Sequence, residues 1–446
     1  MSAAPDAWGE RLPRRLGLGS AVAVLVGITI GSGIFRVPAG TAATLGVPGP
    51  VLVAWVLGGA IALTGALTIA ELAAALPRSG GIFAFLLEAF GPLPAFLFGW
   101  SELTVLRAAA LGAIATIFAE YLGYFLHFDP PTVRRVAALT IIAIGCLNYL
   151  GVRAAAAVTN LITVAKFSAI GLLGVLAFAA GQGSASHFAP LWSGSVSFSL
   201  LATALVPVMW TYDGWADLAF MSGEVRNPGR TLPRALILGT LAIVAIYLLT
   251  NAAYLYLLPL QSIAESKLVA ATAAERIPLL GNGGALVSAL VMVSCFGGLN
   301  ASMMVGSRIF FAMADRGLFF RGVARVSPRF QSPSVAIWLA TALGVIYVLL
   351  NDFQQLADKF ILGIWPFYAL AVAGVYVLRR ARPDLPRPYR TIGYPVVPAL
   401  FLLASVGMVV NALITDPVNT GITFGIIGAG VPVYFAWRRK EVRSKR

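Results

Sequence analysis

Apolar residues recur along this chain in long unbroken blocks, not at the spacing of an amphipathic helix or a half-buried strand. Twelve such runs fall at about 16–41, 51–76, 91–122, 135–150, 156–180, 198–221, 235–258, 284–314, 333–350, 355–378, 394–413 and 420–437. Roughly 20 apolar residues cross the hydrocarbon core of a bilayer as a helix. The pattern therefore predicts an all-α membrane protein with twelve transmembrane helices in a single domain, 1–446. The longest connections, 123–134, 181–197, 259–283, 315–332 and 379–393, leave no room for a soluble domain. Residues 79–90 read as a short interfacial helix ahead of the third span.

Two runs carry residues that break this pattern. In the first, Gly31-Ser32-Gly33 sits midway between Ile30 and Ile34. In the sixth, Trp210-Thr211-Tyr212-Asp213-Gly214-Trp215 puts a carboxylate and a glycine well inside an apolar segment. A broken helix in lipid exposes polar backbone, so a break survives only against protein, water or ligand. Gly-x-Gly alone would fit close helix packing equally well. The matching break in span six changes that, because interrupted helices at corresponding places in two halves point to an inverted-repeat carrier with a midplane site. The repeats would be 16–180 and 198–378, with the last two spans, 394–437, outside them.

Composition agrees with the membrane reading: 59% of the 446 residues are hydrophobic and 11% charged. Soluble domains carry about a quarter charged residues. The net charge of +14 would suit nucleic acid, but its distribution does not. With the N-terminus inside, one face collects Arg11, Arg14, Arg15, Arg78, Arg153, Arg226, Arg230, Arg234 and the 316–329 arginines. The group Arg379, Arg380, Arg382, Arg387, Arg390 and the 438–446 tail join them. This is the positive-inside pattern, with both termini cytoplasmic. The excess charge thus reads as topology and contact with anionic membrane lipids, with no nucleic-acid partner. Cys146 and Cys295 lie in apolar runs, and His127 and His187 in loops, so neither a disulfide framework nor a metal site is expected. The first run is not a cleaved signal peptide, and no nucleotide-binding fingerprint appears.

Unwinding a helix at mid-membrane creates two half-helix ends. The half starting after Gly31 offers free N–H groups and a positive dipole end, suited to a carboxylate. The halves that end at the breaks offer unpaired carbonyls, suited to an ammonium group. A carboxylate and an ammonium a few ångströms apart describe the α-carbon end of a free amino acid.

Ile30-Gly31-Ser32-Gly33-Ile34-Phe35, Tyr212-Asp213-Gly214-Trp215, Gly223-Glu224-Val225-Arg226-Asn227-Pro228, Tyr247-Leu248-Leu249-Thr250-Asn251 and Ser307-Arg308-Ile309-Phe310 occur in this order. Through them the chain resembles the amino acid–polyamine–organocation superfamily, and within it the L-amino-acid transporter family in its bacterial form. The resemblance implies a five-plus-five inverted repeat, discontinuous helices one and six, and alternating access. It assigns the substrate carboxylate to Ser32 and Gly33, amino-group carbonyls to span six, an external aromatic lid to Trp210 and a site-lining role to Tyr247. Lys166, deep in span five, matches a lysine of sodium-independent relatives near the place where sodium-coupled ones bind their ion. Asn251 is one helical turn beyond Tyr247, and either can serve the site or the packing. Glu224 and Arg226 are expected to gate the cytoplasmic side, with Arg78, Arg153 or Arg308 as partners. Arg107 reads as structural, paired with Glu102 or a carbonyl.

Asp213 leaves two substrate classes open. Beside the pocket it would favour cationic amino acids, whereas capping the break would leave neutral ones. The favoured expectation is sodium-independent exchange of neutral L-amino acids across the plasma membrane. The alternative is a proton-coupled carrier of cationic amino acids or polyamines. No enzymatic chemistry and no cofactor are expected. Residues 121–134 lack the cysteine through which animal relatives bind a heavy subunit, so a monomer or weak homodimer is expected.

Overall fold

The computed structural model describes Arg14 and residues 16–78, 80–150, 170–194, 196–315 and 321–444 apart from 326, 328 and 331. Among these residues there is no strand. A single parallel bridge joins Leu16 to Val225. The helices are α1 (Leu18–Thr29), α2 (Val37–Leu45), α3 (Pro48–Ala75), α4 (Gly81–Phe90), α5 (Pro92–Leu126) and α6 (Pro130–Tyr149). Then come α7 (Ile170–Ala180), α8 (Phe198–Tyr212), α9 (Pro228–Leu257), α10 (Leu260–Glu265), α11 (Val269–Ala274) and α12 (Gly283–Asp315). The chain closes with α13 (Ser334–Leu350), α14 (Phe353–Ala381), α15 (Val396–Thr415), α16 (Pro417–Gly428) and α17 (Gly430–Ser444).

Eight of the described helical segments are long and apolar enough to cross a membrane. The other four predicted runs fall short for identifiable reasons. The first stops at Thr29 and the sixth at Tyr212, both at breaks. The fifth is described only from residue 170, and α13 has 17 residues. The predicted loop 259–283 contains α10 and α11, packed on α2 and α12. The predicted short helix forms as α4, with Ile82–Leu86 buried and packed against α14.

Packing sorts the helices into two groups. α9 lies along α3 and α1, and α8 rests on α3 and α2. On the other side α12 and α13 pack against α5, and α6 packs on α13. α14 touches both groups through α3, α8 and α5. Its start is fixed by a capping box, in which Asp352 accepts from Gln355 N at 2.9 Å and the Gln355 side chain returns the bond.

Local sequence explains the breaks. Ile30 leaves helical geometry at ψ 86° and Gly31 N–H turns back to Thr29 O at 2.8 Å. A short 3₁₀ turn, Gly33–Phe35, then leads to α2, with Pro38 in its first turn where a missing N–H costs nothing. In α8, Pro207 removes one ladder bond. The helix ends at Tyr212, Asp213 is extended, and Gly214 takes φ +107°, a region only glycine adopts freely. The chain resumes as a 3₁₀ helix, Asp217–Glu224, eight residues long where runs of more than 3–4 are uncommon.

Candidate functional site

The segments Thr29–Phe35 and Trp210–Trp215 meet in crossed fashion. A Cβ added to Gly33 would stand 2.6 Å from Thr211 Oγ1 and 2.9 Å from Thr211 Cα. A Cβ on Gly214 would stand 2.8 Å from Thr29 Oγ1 and 2.9 Å from Thr29 Cα. Each break's glycine thus rests on the threonine in the last turn of the other helix. The threonine hydroxyls are occupied locally, donating to Leu25 O at 3.0 Å and Pro207 O at 3.3 Å.

Tyr247 joins the same two residues from α9. Its hydroxyl lies 2.9 Å from Thr29 O and 3.0 Å from Thr211 O, so one proton is shared between the final-turn carbonyls of α1 and α8. The ring is fully buried, 5.1 Å from Tyr212 and 6.0 Å from Trp55 between centroids. Beyond the first break, Tyr121 donates to Phe35 O at 3.0 Å. Arg36 is held by Glu120 at 3.0 Å and lies over the Phe353 ring.

What the two breaks leave open is specific. The N–H groups of Ser32, Gly33 and Ile34 donate to no other described residue. The carbonyls of Ile30, Gly31, Tyr212 and Asp213 accept from none. Ile30, Ser32, Gly33 and Ile34 are buried, yet buried backbone groups are almost always paired. Three clustered donors and four acceptors are thus left without a described partner where the two half-helices cross.

The remaining predicted site residues divide. Asp213 Oδ1 accepts from Tyr368 on α14 at 2.9 Å, a bond across the bundle, and its carboxylate also accepts from the Gly214 N–H of its own segment. Trp210 is nearly buried and meets the Phe360 ring edge-on at 5.0 Å. The side chain of Tyr212 donates to Trp55 O at 3.0 Å. Asn251 donates back to Tyr247 O at 2.8 Å, within its own helix. Arg107 pairs with Glu102 at 2.8 Å, as the sequence suggested, and donates to Ser302 at 2.8 Å. Glu224 ends the 3₁₀ helix, where its carbonyl accepts from Leu16 N, while Arg78 reaches Glu88 at 3.4 Å. Lys166 and Arg153 lie outside the described residues, as does the side chain of Arg308. Among the described residues no group of His, Cys, Asp and Glu could hold a metal ion.

A family model described as amino acid permease matches residues 16–437. The chain belongs to that family. The permease is thus a multi-pass membrane protein of amino acid transport within the amino acid–polyamine–organocation superfamily. It is 31% identical to the serine/threonine exchanger SteT of Bacillus subtilis, over 96% of this chain and 98% of the relative. It is 34% identical to the human cystine/glutamate transporter, with coverages of 96% and 87%. For the human b(0,+)-type amino acid transporter 1 the identity is 32%, with coverages of 91% and 84%.

Sequence reasoning missed Thr29 and Thr211, whose signal was present as a threonine shortly before each break glycine. It also missed Tyr368, one polar residue in an apolar run whose partner lies 155 positions away. Tyr247→Phe would leave Thr211 O without a described donor, while Thr29 O would keep only the Gly31 N–H. An unmet buried acceptor costs about 1–3 kcal/mol, so exchange is expected to fall about tenfold. Uptake into proteoliposomes reads this directly, and an unchanged rate would remove Tyr247 from the site.

Proposed function

We propose that the permease is a sodium-independent exchanger of L-amino acids, neutral ones by preference, working by alternating access. The observation that carries this reading is the set of N–H groups at Ser32, Gly33 and Ile34, with the carbonyls of Ile30, Gly31, Tyr212 and Asp213, that have no partner among the described residues. The first set meets an α-carboxylate and the second an α-ammonium, and every L-amino acid carries both. Trp210 closes over the substrate and desolvates it. Tyr368 occupies one oxygen of Asp213, which weakens the claim of that carboxylate on a substrate cation and favours neutral side chains. The relatives named as exchangers of serine and threonine, or transporters of cystine and glutamate, support exchange as the mode.

In this reading the chain has twelve spans, repeats over 16–180 and 198–378, and a last pair at 394–437. It sits in the plasma membrane with both termini cytoplasmic, as a monomer or weak homodimer without a disulfide-linked heavy subunit. Lys166 supplies a fixed cation in place of sodium, Glu224 takes part in cytoplasmic gating, and Asn251 orients Tyr247. No cofactor takes part.

The test is uptake of labelled L-serine, L-leucine, L-glutamate and L-arginine into proteoliposomes, preloaded with unlabelled amino acid or left empty. Sodium and pH are varied separately. Strong acceleration by internal neutral amino acid without sodium is the expected result. Equal uptake of arginine into empty vesicles, driven by a proton gradient, would replace this reading with a proton-coupled cationic carrier.

A further inference from the structure

The arginines in the last turn of α14 and just beyond it read from sequence as topology signals, yet two of them, Arg379 and Arg387, converge on a buried acid. Glu71, near the end of α3, has a side chain only 2% exposed. Arg379 Nε and Nη2 donate to its two oxygens at 2.8 and 2.6 Å, the bidentate geometry that makes such pairs strong. The Thr391 N–H and hydroxyl each donate to Oε2 at 2.7 Å, and Arg387 Nε stands 3.5 Å from Oε1. The cations are anchored in turn. Arg379 stacks on Tyr394 at 3.7 Å from the ring centre, and Arg387 donates to the carbonyls of Leu378, Arg382, Pro383 and Leu385.

The two elements joined here are those that enclose the span-six break. From α3, Trp55 O receives the Tyr212 hydroxyl. From α14, Tyr368 holds Asp213 and packs on Trp215 at 5.2 Å, and Phe360 meets Trp210. We propose that Glu71 is a positioning residue. Its clamp on Arg379, Arg387 and Thr391 keeps α3 and the end of α14 together throughout the transport cycle, and so keeps the break enclosed. Opening the clamp each cycle would strand a buried charge without compensation, which is strongly unfavourable. The conformational change therefore runs through other contacts. This inference rests on the proposed exchange activity.

The test replaces the ionic clamp by a covalent one. In a background carrying Cys146→Ala and Cys295→Ala, Glu71→Cys with Thr391→Cys removes the carboxylate and places two thiols at its site. Exchange of labelled L-serine is expected to drop about tenfold in maximal rate, with KM within about twofold. A short bis-methanethiosulfonate linker should then restore the rate to within about threefold of the parent. A linked protein no faster than the unlinked one, or arrested until a thiol reductant is added, would overturn the proposal. Arg379→Lys, which keeps the charge and loses the fork, gives a second measure. It should lower the maximal rate with little change in KM, and a parental rate there would also overturn the clamp. Exchange by the cysteine-free parent tests the transport reading, whereas the ratio of linked to unlinked rates tests the clamp.

Discussion

Gly33→Ala is expected to reduce exchange on the order of 100-fold. The added methyl would stand 2.6 Å from Thr211 Oγ1, which could rotate away, but also 2.9 Å from Thr211 Cα, which could not without moving α8. Overpacking of this kind costs about 1–3 kcal/mol, and each 1.36 kcal/mol is about tenfold in rate. The displacement falls where the two half-helices meet, so it spreads the donors at Ser32 and Ile34 from the carbonyls at Tyr212 and Asp213. Both KM and maximal rate should suffer, since substrate binding and closure use the same crossing. Preloaded-vesicle uptake measures this. A variant that runs as a monodisperse species in detergent yet exchanges at the parental rate would refute the crossed packing.

Ser32→Trp is expected to abolish substrate binding. Ser32 is 4% exposed at the N-terminal end of the 3₁₀ turn, and its N–H is one of the three open donors. An indole there fills the space a carboxylate needs. Loss of that interaction removes a charge-assisted contact of about 1.5–3 kcal/mol before any steric term is counted. Binding of labelled L-serine to purified protein should become undetectable, while Ser32→Ala, which retains the backbone donor, should bind within about tenfold of the parent. Normal affinity in the tryptophan variant would sink the cradle. The two variants strain the same crossing differently, since Gly33→Ala presses on Thr211 and Ser32→Trp fills the space assigned to the ligand.

Much of this was visible in the chain. A run of apolar residues long enough to span a bilayer has few alternatives to a helix, since its backbone must satisfy itself. The two breaks were equally legible, because Gly31-Ser32-Gly33 and Asp213-Gly214 are anomalies against an apolar background. Side-chain directions were not. Tyr212 and Asp213 are adjacent, yet one donates toward α3 and the other accepts from α14, a difference only helix packing fixes. Asn251 was equally suited to site or scaffold, and that it donates to Tyr247 O within its own helix is seen only in the packed structure. The 379–390 arginines illustrate the same limit. Their side of the membrane is a property of composition along the chain, while the choice of Arg379 and Arg387 as partners of Glu71 depends on where α3 ends.

By itself, then, the sequence determined the membrane class and the position of both broken helices, and it supplied the expectation of a zwitterionic ligand at them. Hydrophobic length and backbone hydrogen bonding are local properties, and local properties can be read in order along a chain. The tertiary structure decided that each break glycine lies on the other helix's threonine, that Tyr247 bridges both helix ends, and that Glu71 ties α3 to α14. Those contacts join residues tens to hundreds of positions apart, and only the packed bundle brings them within hydrogen-bonding distance.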